Sequence, residues 1–191
     1  MQESIINLIN DSIRNFSNIS KDKEQVLLIE QITNTIIDAY NNDCKLLLCG
    51  NGGSASDAQH IAAELSGRFE MDREPLNAEA LHVNSSYLTA VANDYGYEEV
   101  YARMVKATGK NGDVLLALST SGNSSNVLKA IEQANHIGMT TIGFSGNDGG
   151  RMNEICKYNL IIPSNNTARI QEAHILVGHI ICKLIEQKIF K

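Results

Sequence analysis

Long apolar runs are missing from this chain. The longest, at residues 46–49 and 114–118, fall far short of the roughly 18 residues that a membrane span needs. The first ten residues mix acid, amide and aliphatic side chains, with neither the basic start nor the apolar block of a signal peptide, so a cytoplasmic protein is expected. Basic residues are in deficit, 16 Lys and Arg against 22 Asp and Glu, and they form no cluster, which argues against a nucleic-acid surface and favours a small molecule or a protein as partner. Cysteine is scarce too. Cys44, Cys49, Cys156 and Cys182 form no CxxC pair and sit in apolar or amphipathic stretches, which predicts buried reduced thiols rather than a disulfide framework or a zinc knuckle. Only two prolines occur, and no Pro/Gly-rich linker, repeat or low-complexity tract divides the chain, so its 191 residues are expected to form one domain, 1–191.

What is present alternates between two periods. Aliphatics at three- and four-residue steps (Ile5, Leu8, Ile9; Val26, Ile29, Ile32, Ile36) predict amphipathic helices over 1–16 and 22–42. Beyond them the pattern predicts strands at 45–49, 79–83, 113–118, 140–144 and 159–162. Helices are predicted at 54–66, 126–137, 149–156 and 167–188, with shorter helical pieces at 87–91 and 99–107. Strands that read as continuous apolar runs between helices imply a parallel sheet covered on both faces. The expected fold is α/β, a three-layer sandwich around a five-stranded parallel sheet of flavodoxin-like topology, with residues 1–42 as extra N-terminal helices before a core of 45–188.

In such sheets ligands bind beyond the carboxyl ends of the strands. Two strand-to-helix turns stand out. The first, "CGNGGSASDAQH" (49–60), places Gly50, Gly52 and Gly53 directly before a helix, where the backbone can approach a ligand and free amides can meet an anion. A dinucleotide fingerprint matches only loosely, because no acidic residue follows the next strand, and a P-loop is excluded by the lack of Gly-Lys-Ser/Thr. A tight turn with no ligand is the competing reading. The second turn gathers Ser119, Thr120, Ser121, Ser124 and Ser125 around Gly122 at a helix start. One hydroxyl suffices for an N-cap. Five without a basic side chain suit a phosphate held by hydroxyls, backbone amides and the helix dipole.

The strand followed by "STSGNSSN" and a helix resembles the phosphosugar loop of sugar isomerase (SIS) domains. "LLLCGNGGSASDAQHIAAELSGRF", "VANDYGY" and "TARIQEAHILVGHIICKLIE" extend the resemblance over about 45–188 to the phosphoheptose isomerases within that family. It implies conversion of sedoheptulose 7-phosphate into D-glycero-D-manno-heptose 7-phosphate, the entry to bacterial heptose synthesis for lipopolysaccharide or capsule. Glu64 matches the family's base and His179 its general acid. Asn51, Gly52, Gly53, Ser54, Arg68, Asn93, Asp94, Ser119, Thr120, Ser121, Ser124 and Gln171, together with Glu64, match its substrate contacts. His60, Glu64, Gln171 and His179 match its zinc ligands, one ion per subunit.

From spacing alone, His60 and Glu64 form a good i,i+4 ligand pair of zinc-compatible donors. Gln171 and His179 are eight residues apart, about 12 Å along a helix, so meeting on one ion would stretch both side chains unless different subunits contribute them; Glu172 and His174 are rivals for the place of Gln171. Ile170, Ile175, Val177, Ile180, Ile181, Leu184 and Ile185 cover more of the last helix than one core-facing stripe needs. Packing against another subunit is expected, and the resemblance implies a homotetramer with sites at subunit contacts. The competing function is a non-catalytic SIS-domain regulator that binds the replication initiator protein, which the fold alone does not exclude.

Overall fold

The computed structural model describes residues 1–191. Two helices lead, α1 (Gln2–Lys21) and α2 (Lys23–Asn41), followed by β1 (Leu46–Gly50), α3 (Gly53–Ser66), β2 (Ala78–Ala80), α4 (Ser85–Tyr95) and α5 (Val100–Thr108). Then come β3 (Val114–Leu118), α6 (Ser125–His136), β4 (Thr140–Gly146), α7 (Met152–Ile155), β5 (Tyr158–Ile162) and α8 (Thr167–Ile189). Every expected element is present, with shifted bounds. The second strand stops at Ala80, and the short helix begins only at Met152, because Gly149 and Gly150 adopt positive φ. No helix is long and apolar enough to cross a membrane.

All strands pair in parallel, in the order β2-β1-β3-β4-β5. That is the doubly wound flavodoxin order, whose switch point lies between β1 and β3. Alternation along the strands divides the core in two. Leu46, Leu48, Val114, Leu116, Ile142 and Phe144 point into the cluster shared with α2, α3 and α8, whereas Leu47, Cys49, Leu115 and Ala117 point towards α5 and α6. Register at the switch point is fixed from below by Asp113, whose buried carboxylate accepts from the backbone N–H of Lys45 at 3.0 Å and of Lys110 at 2.9 Å and pairs with the Lys45 Nζ at 3.0 Å. Gly50 therefore lies beside Leu118, and the turns after β1 and β3 open at the same level.

The expectation of buried thiols holds for Cys49 and Cys182, while Cys44 and Cys156 are half-buried; all four are free. Burial pushes Cys156 and Cys182 up to about 12, so both remain thiols at neutral pH. On α8, Ile170, Val177, Ile181 and Ile185 are buried, and Ile180 is exposed. Ile5, Ile6, Leu8, Ile9 and Ile13 of α1 are exposed as well. An open apolar cleft of about 500 Å³ between α1, α2 and α8 is lined by Phe16, Ile19, Val26, Leu176, Ile180 and Leu184.

Candidate functional site

The serine turn is built by close approach. Gly122 has φ +65°, and a Cβ there would stand 2.0 Å from the carbonyl oxygen of Gly149, so the position demands glycine on both counts. Met152 donates its N–H to the Gly122 carbonyl, and Gly146 N–H and Asn147 Nδ2 both donate to the Thr120 carbonyl, each at 3.1 Å. Within this rigid frame Ser124 occupies the N-cap position of α6 but makes no side-chain cap. Its hydroxyl instead meets the buried Ser119 hydroxyl at 2.9 Å, and Ser119 also approaches Ser121 at 3.5 Å. Hydroxyls freed from capping, next to the open amides of a helix start, make an anion cradle.

The glycine turn faces it. Asn51 and Asn126 exchange two amide hydrogen bonds, each 2.8 Å, which join the start of α3 to the start of α6. Asn126 is buried and also accepts from Val127 N–H at 3.0 Å, and the Tyr97 hydroxyl donates to Asn51 Oδ1 at 3.3 Å. Neither Asn126 nor Tyr97 is picked out by sequence reading, although both lie inside the quoted motifs. Gly52 and Gly53 are exposed and Ser54 is buried. A Cβ on Gly53 would stand 2.6 Å from Gln171 Nε2, so the glycine makes room for the Gln171 amide. Asn93 and Asp94, bonded to each other at 2.9 Å, are exposed in the last turn of α4.

A second cluster lies farther along α3. Helices α3 and α8 run side by side in the same direction: Gln171 meets Gly53, Gly178 packs on Ile61, and His179 meets His60. His60 Nε2 is 2.9 Å from Glu64 Oε1 and 3.3 Å from His179 Nε2, and the two imidazoles stand edge to face with centroids 5.0 Å apart. The ligand atoms of His60, Glu64 and His179 all fall within 4.8 Å of one another. Two imidazoles and a carboxylate are donors that suit zinc, and three protein ligands with an open position match catalytic sites. Arg68 is exposed just beyond the end of α3. Asp57, about one turn before His60, is half-buried with Oδ2 unpartnered; burial pushes its carboxyl up to about 6, and the nearby His60 pulls the other way.

The expected site residues thus separate into two groups. Asn51 to Ser54, Ser119 to Ser124 and Gln171 gather at the carboxyl edge of the sheet, whereas His60, Glu64 and His179 lie down the α3–α8 seam. Gln171 is not brought to the other three expected ligands within one chain, because parallel register holds it at Gly53, about 12 Å along α8 from His179. The rivals are placed elsewhere: His174 is buried against the Ser145 carbonyl, and Glu172 accepts from Ser12 and Arg169.

Comparison with known proteins agrees with this architecture. The SIS domain profile matches residues 9–146. The phosphoheptose isomerase of Clostridium acetobutylicum is 50% identical over 182 residues, 95% of this chain and 93% of that protein. Among solved structures, the phosphoheptose isomerase GmhA from Neisseria gonorrhoeae superposes with a TM-score of 0.92 at 41% identity, covering 97% of this chain and 98% of that one. A phosphoheptose isomerase from Francisella tularensis gives 0.93 at 36% identity, covering 98% of each.

Proposed function

The chain belongs to the phosphoheptose isomerases, a family built on the SIS domain, and from that premise we propose that it converts sedoheptulose 7-phosphate into D-glycero-D-manno-heptose 7-phosphate. It is an enzyme, an aldose-ketose isomerase; we place it at the entry to heptose synthesis for lipopolysaccharide or capsule and propose that it acts in the cytoplasm. The observation that supports the roles is the convergence of Glu64 and His179, from separate helices, within 4.8 Å. The regulator reading gains no support from the relatives, which are named as isomerases.

The reaction moves one proton between neighbouring carbons and another between their oxygens. Glu64 takes the proton from C1 of the ketose while His179 protonates the C2 oxygen, giving an enediol. His179 then takes the proton from the C1 hydroxyl as Glu64 returns its own to C2, and the carbonyl finishes on C1. Ser119, Thr120, Ser121 and Ser124 hold the phosphate throughout, and Asn51, Gly52, Gly53, Ser54, Asn93, Asp94 and Arg68 border the sugar. Zinc, one ion per subunit, would be held by His60, Glu64 and His179, with Gln171 of a neighbouring subunit as fourth ligand, and would supply Lewis acidity to the sugar oxygens.

Within a single chain the two groups stand well apart. Helix α3 leaves the carboxyl edge of the sheet at Gly53 and carries Glu64 three turns away, about 16 Å at 1.5 Å per residue. A site that pairs the serine turn and Gln171 of one subunit with His60, Glu64 and His179 of a neighbour resolves both this distance and the Gln171–His179 span. The exposed aliphatics of α1 and the cleft beside α8 supply apolar surface for such contacts in a homotetramer.

The test is incubation with sedoheptulose 7-phosphate, with and without added zinc, followed by detection of an aldoheptose phosphate. Absence of turnover in both arms overturns the assignment and returns the regulator reading.

A further inference from the structure

We propose that Phe69 is a positioning residue for His179, held in place by a buried clasp between Glu186 and Arg73. The inference rests on the reading that Glu64 and His179 carry the proton transfers. The Phe69 ring stacks on the His179 ring with centroids 5.5 Å apart and planes at 25°, within the range of favourable offset stacking. Rotation of an imidazole about its last side-chain bond is soft, so a flat neighbour on its face restricts the direction in which Nε2 points.

Nothing in the local backbone fixes Phe69. It lies in the irregular stretch between α3 and β2, where no helix or strand ladder holds the chain. The anchor is tertiary. Glu186, two turns beyond His179 on α8, accepts the backbone N–H groups of Phe69 at 3.0 Å, Glu70 at 3.0 Å and Met71 at 3.1 Å, and the Nε–H of Arg73 at 3.0 Å. Arg73 directs its remaining donors to the carbonyls of Glu64 at 2.9 Å, Leu65 at 2.6 Å, Gly67 at 3.2 Å and Glu74 at 3.1 Å. The two side chains are 2% and 1% exposed. A charged pair this deeply buried is often no more stabilising than an apolar pair of the same volume, and its best-attested use is to specify one geometry. Here the geometry specified joins the end of α3, which carries Glu64, to α8, which carries His179, and it places the Phe69 ring between the clasp and the catalytic imidazole.

Phe69 is half-buried, so it can be replaced without emptying the core. Phe69→Leu keeps apolar bulk and removes the flat ring; Phe69→Tyr restores the ring. The expected result for Phe69→Leu is a kcat about 10-fold lower with KM for sedoheptulose 7-phosphate unchanged within about two-fold and Tm unaltered, since misplacement of a catalytic group by a fraction of an ångström acts on the chemical step. Phe69→Tyr should return most of the lost kcat. Glu186→Gln is expected to lower kcat similarly, and adding Phe69→Leu to it should cost little more, because both changes break one chain of contacts. Phe69→Leu with wild-type kcat, or a Phe69→Tyr that fails to recover what Phe69→Leu loses, overturns the proposal. His179→Gln, assayed alongside, separates the two readings: full activity in that variant removes the catalytic assignment itself, whereas an inactive His179→Gln beside a fully active Phe69→Leu removes only the role of Phe69.

Discussion

The hydroxyls around Gly122 differ in what the chain does with them. Ser119 is buried and bonded to Ser124, which leaves its own N-cap unmade, and Ser121 is exposed at the rim. An N-cap that goes unused costs roughly 1 kcal/mol of helix stability, which makes sense where a ligand takes its place. Ser119→Ala and Ser121→Ala are therefore expected to weaken binding of a phosphorylated sugar while leaving an unphosphorylated analogue unaffected, as read by titration calorimetry with both ligands. Equal losses for the two would remove the phosphate role. For Glu64 the expectation is sharper. Glu64→Gln retains size and packing but cannot accept a proton, so turnover should fall on the order of 100- to 10,000-fold with the circular dichroism spectrum unchanged.

Among the elements, α8 carries the most varied duties. Its buried side seals the sheet, its Gln171 and His179 lie at different ends of the α3 seam, and it holds three buried titratable groups, His174, Cys182 and Glu186. His174 is fully buried with Nδ1 unpartnered; burial drives it down to about 4, only partly offset by its bond to the Ser145 carbonyl. The folded chain thus keeps His174 neutral while the unfolded chain takes up a proton below 6.5, so stability present above that pH is lost as pH falls towards about 4. Glu186 is pushed up by burial, but its bonds from Phe69, Glu70, Met71 and Arg73 outweigh this and hold it below the ordinary carboxylate value, so its contribution is lost only at lower pH. Asp57, raised to about 6, favours the folded state as pH falls and opposes His174 in the same window. The measure is therefore a difference. In chelator, urea midpoints of the wild type should drop more between pH 7 and pH 5 than those of His174→Gln, and equal drops would show that His174 does not titrate on unfolding.

At the scale of the whole molecule, the shared site proposed above would make assembly a condition of activity. Subunits inactivated in different halves of the site should complement one another. Glu64→Gln and Ser121→Glu, which sets a carboxylate against the phosphate, are each expected to be inactive alone and to regain measurable turnover after mixed refolding. Sedimentation at micromolar concentration should find a tetramer and no active monomer, and a monomer that turns over substrate, or mixtures that stay inactive, would remove the shared site. Much of this was legible in the chain. Continuous apolar strands, helical periods and two ligand turns are encoded locally, because burial on both faces and a strand-to-helix turn each impose their own residue pattern, and the expected sheet and topology follow from them. His60 and Glu64 were readable as one helical face for the same reason. The parallel register of α3 and α8, which brings His179 to His60 and leaves Gln171 at Gly53, was not. Nor were the Asn51–Asn126 amide pair and the Glu186–Arg73 clasp, whose partners lie 75 and 113 residues apart. Such contacts depend on how whole helices lie against the sheet, and that is decided by the packing of Gly178 on Ile61 and the lateral order of strands, quantities that no local period contains.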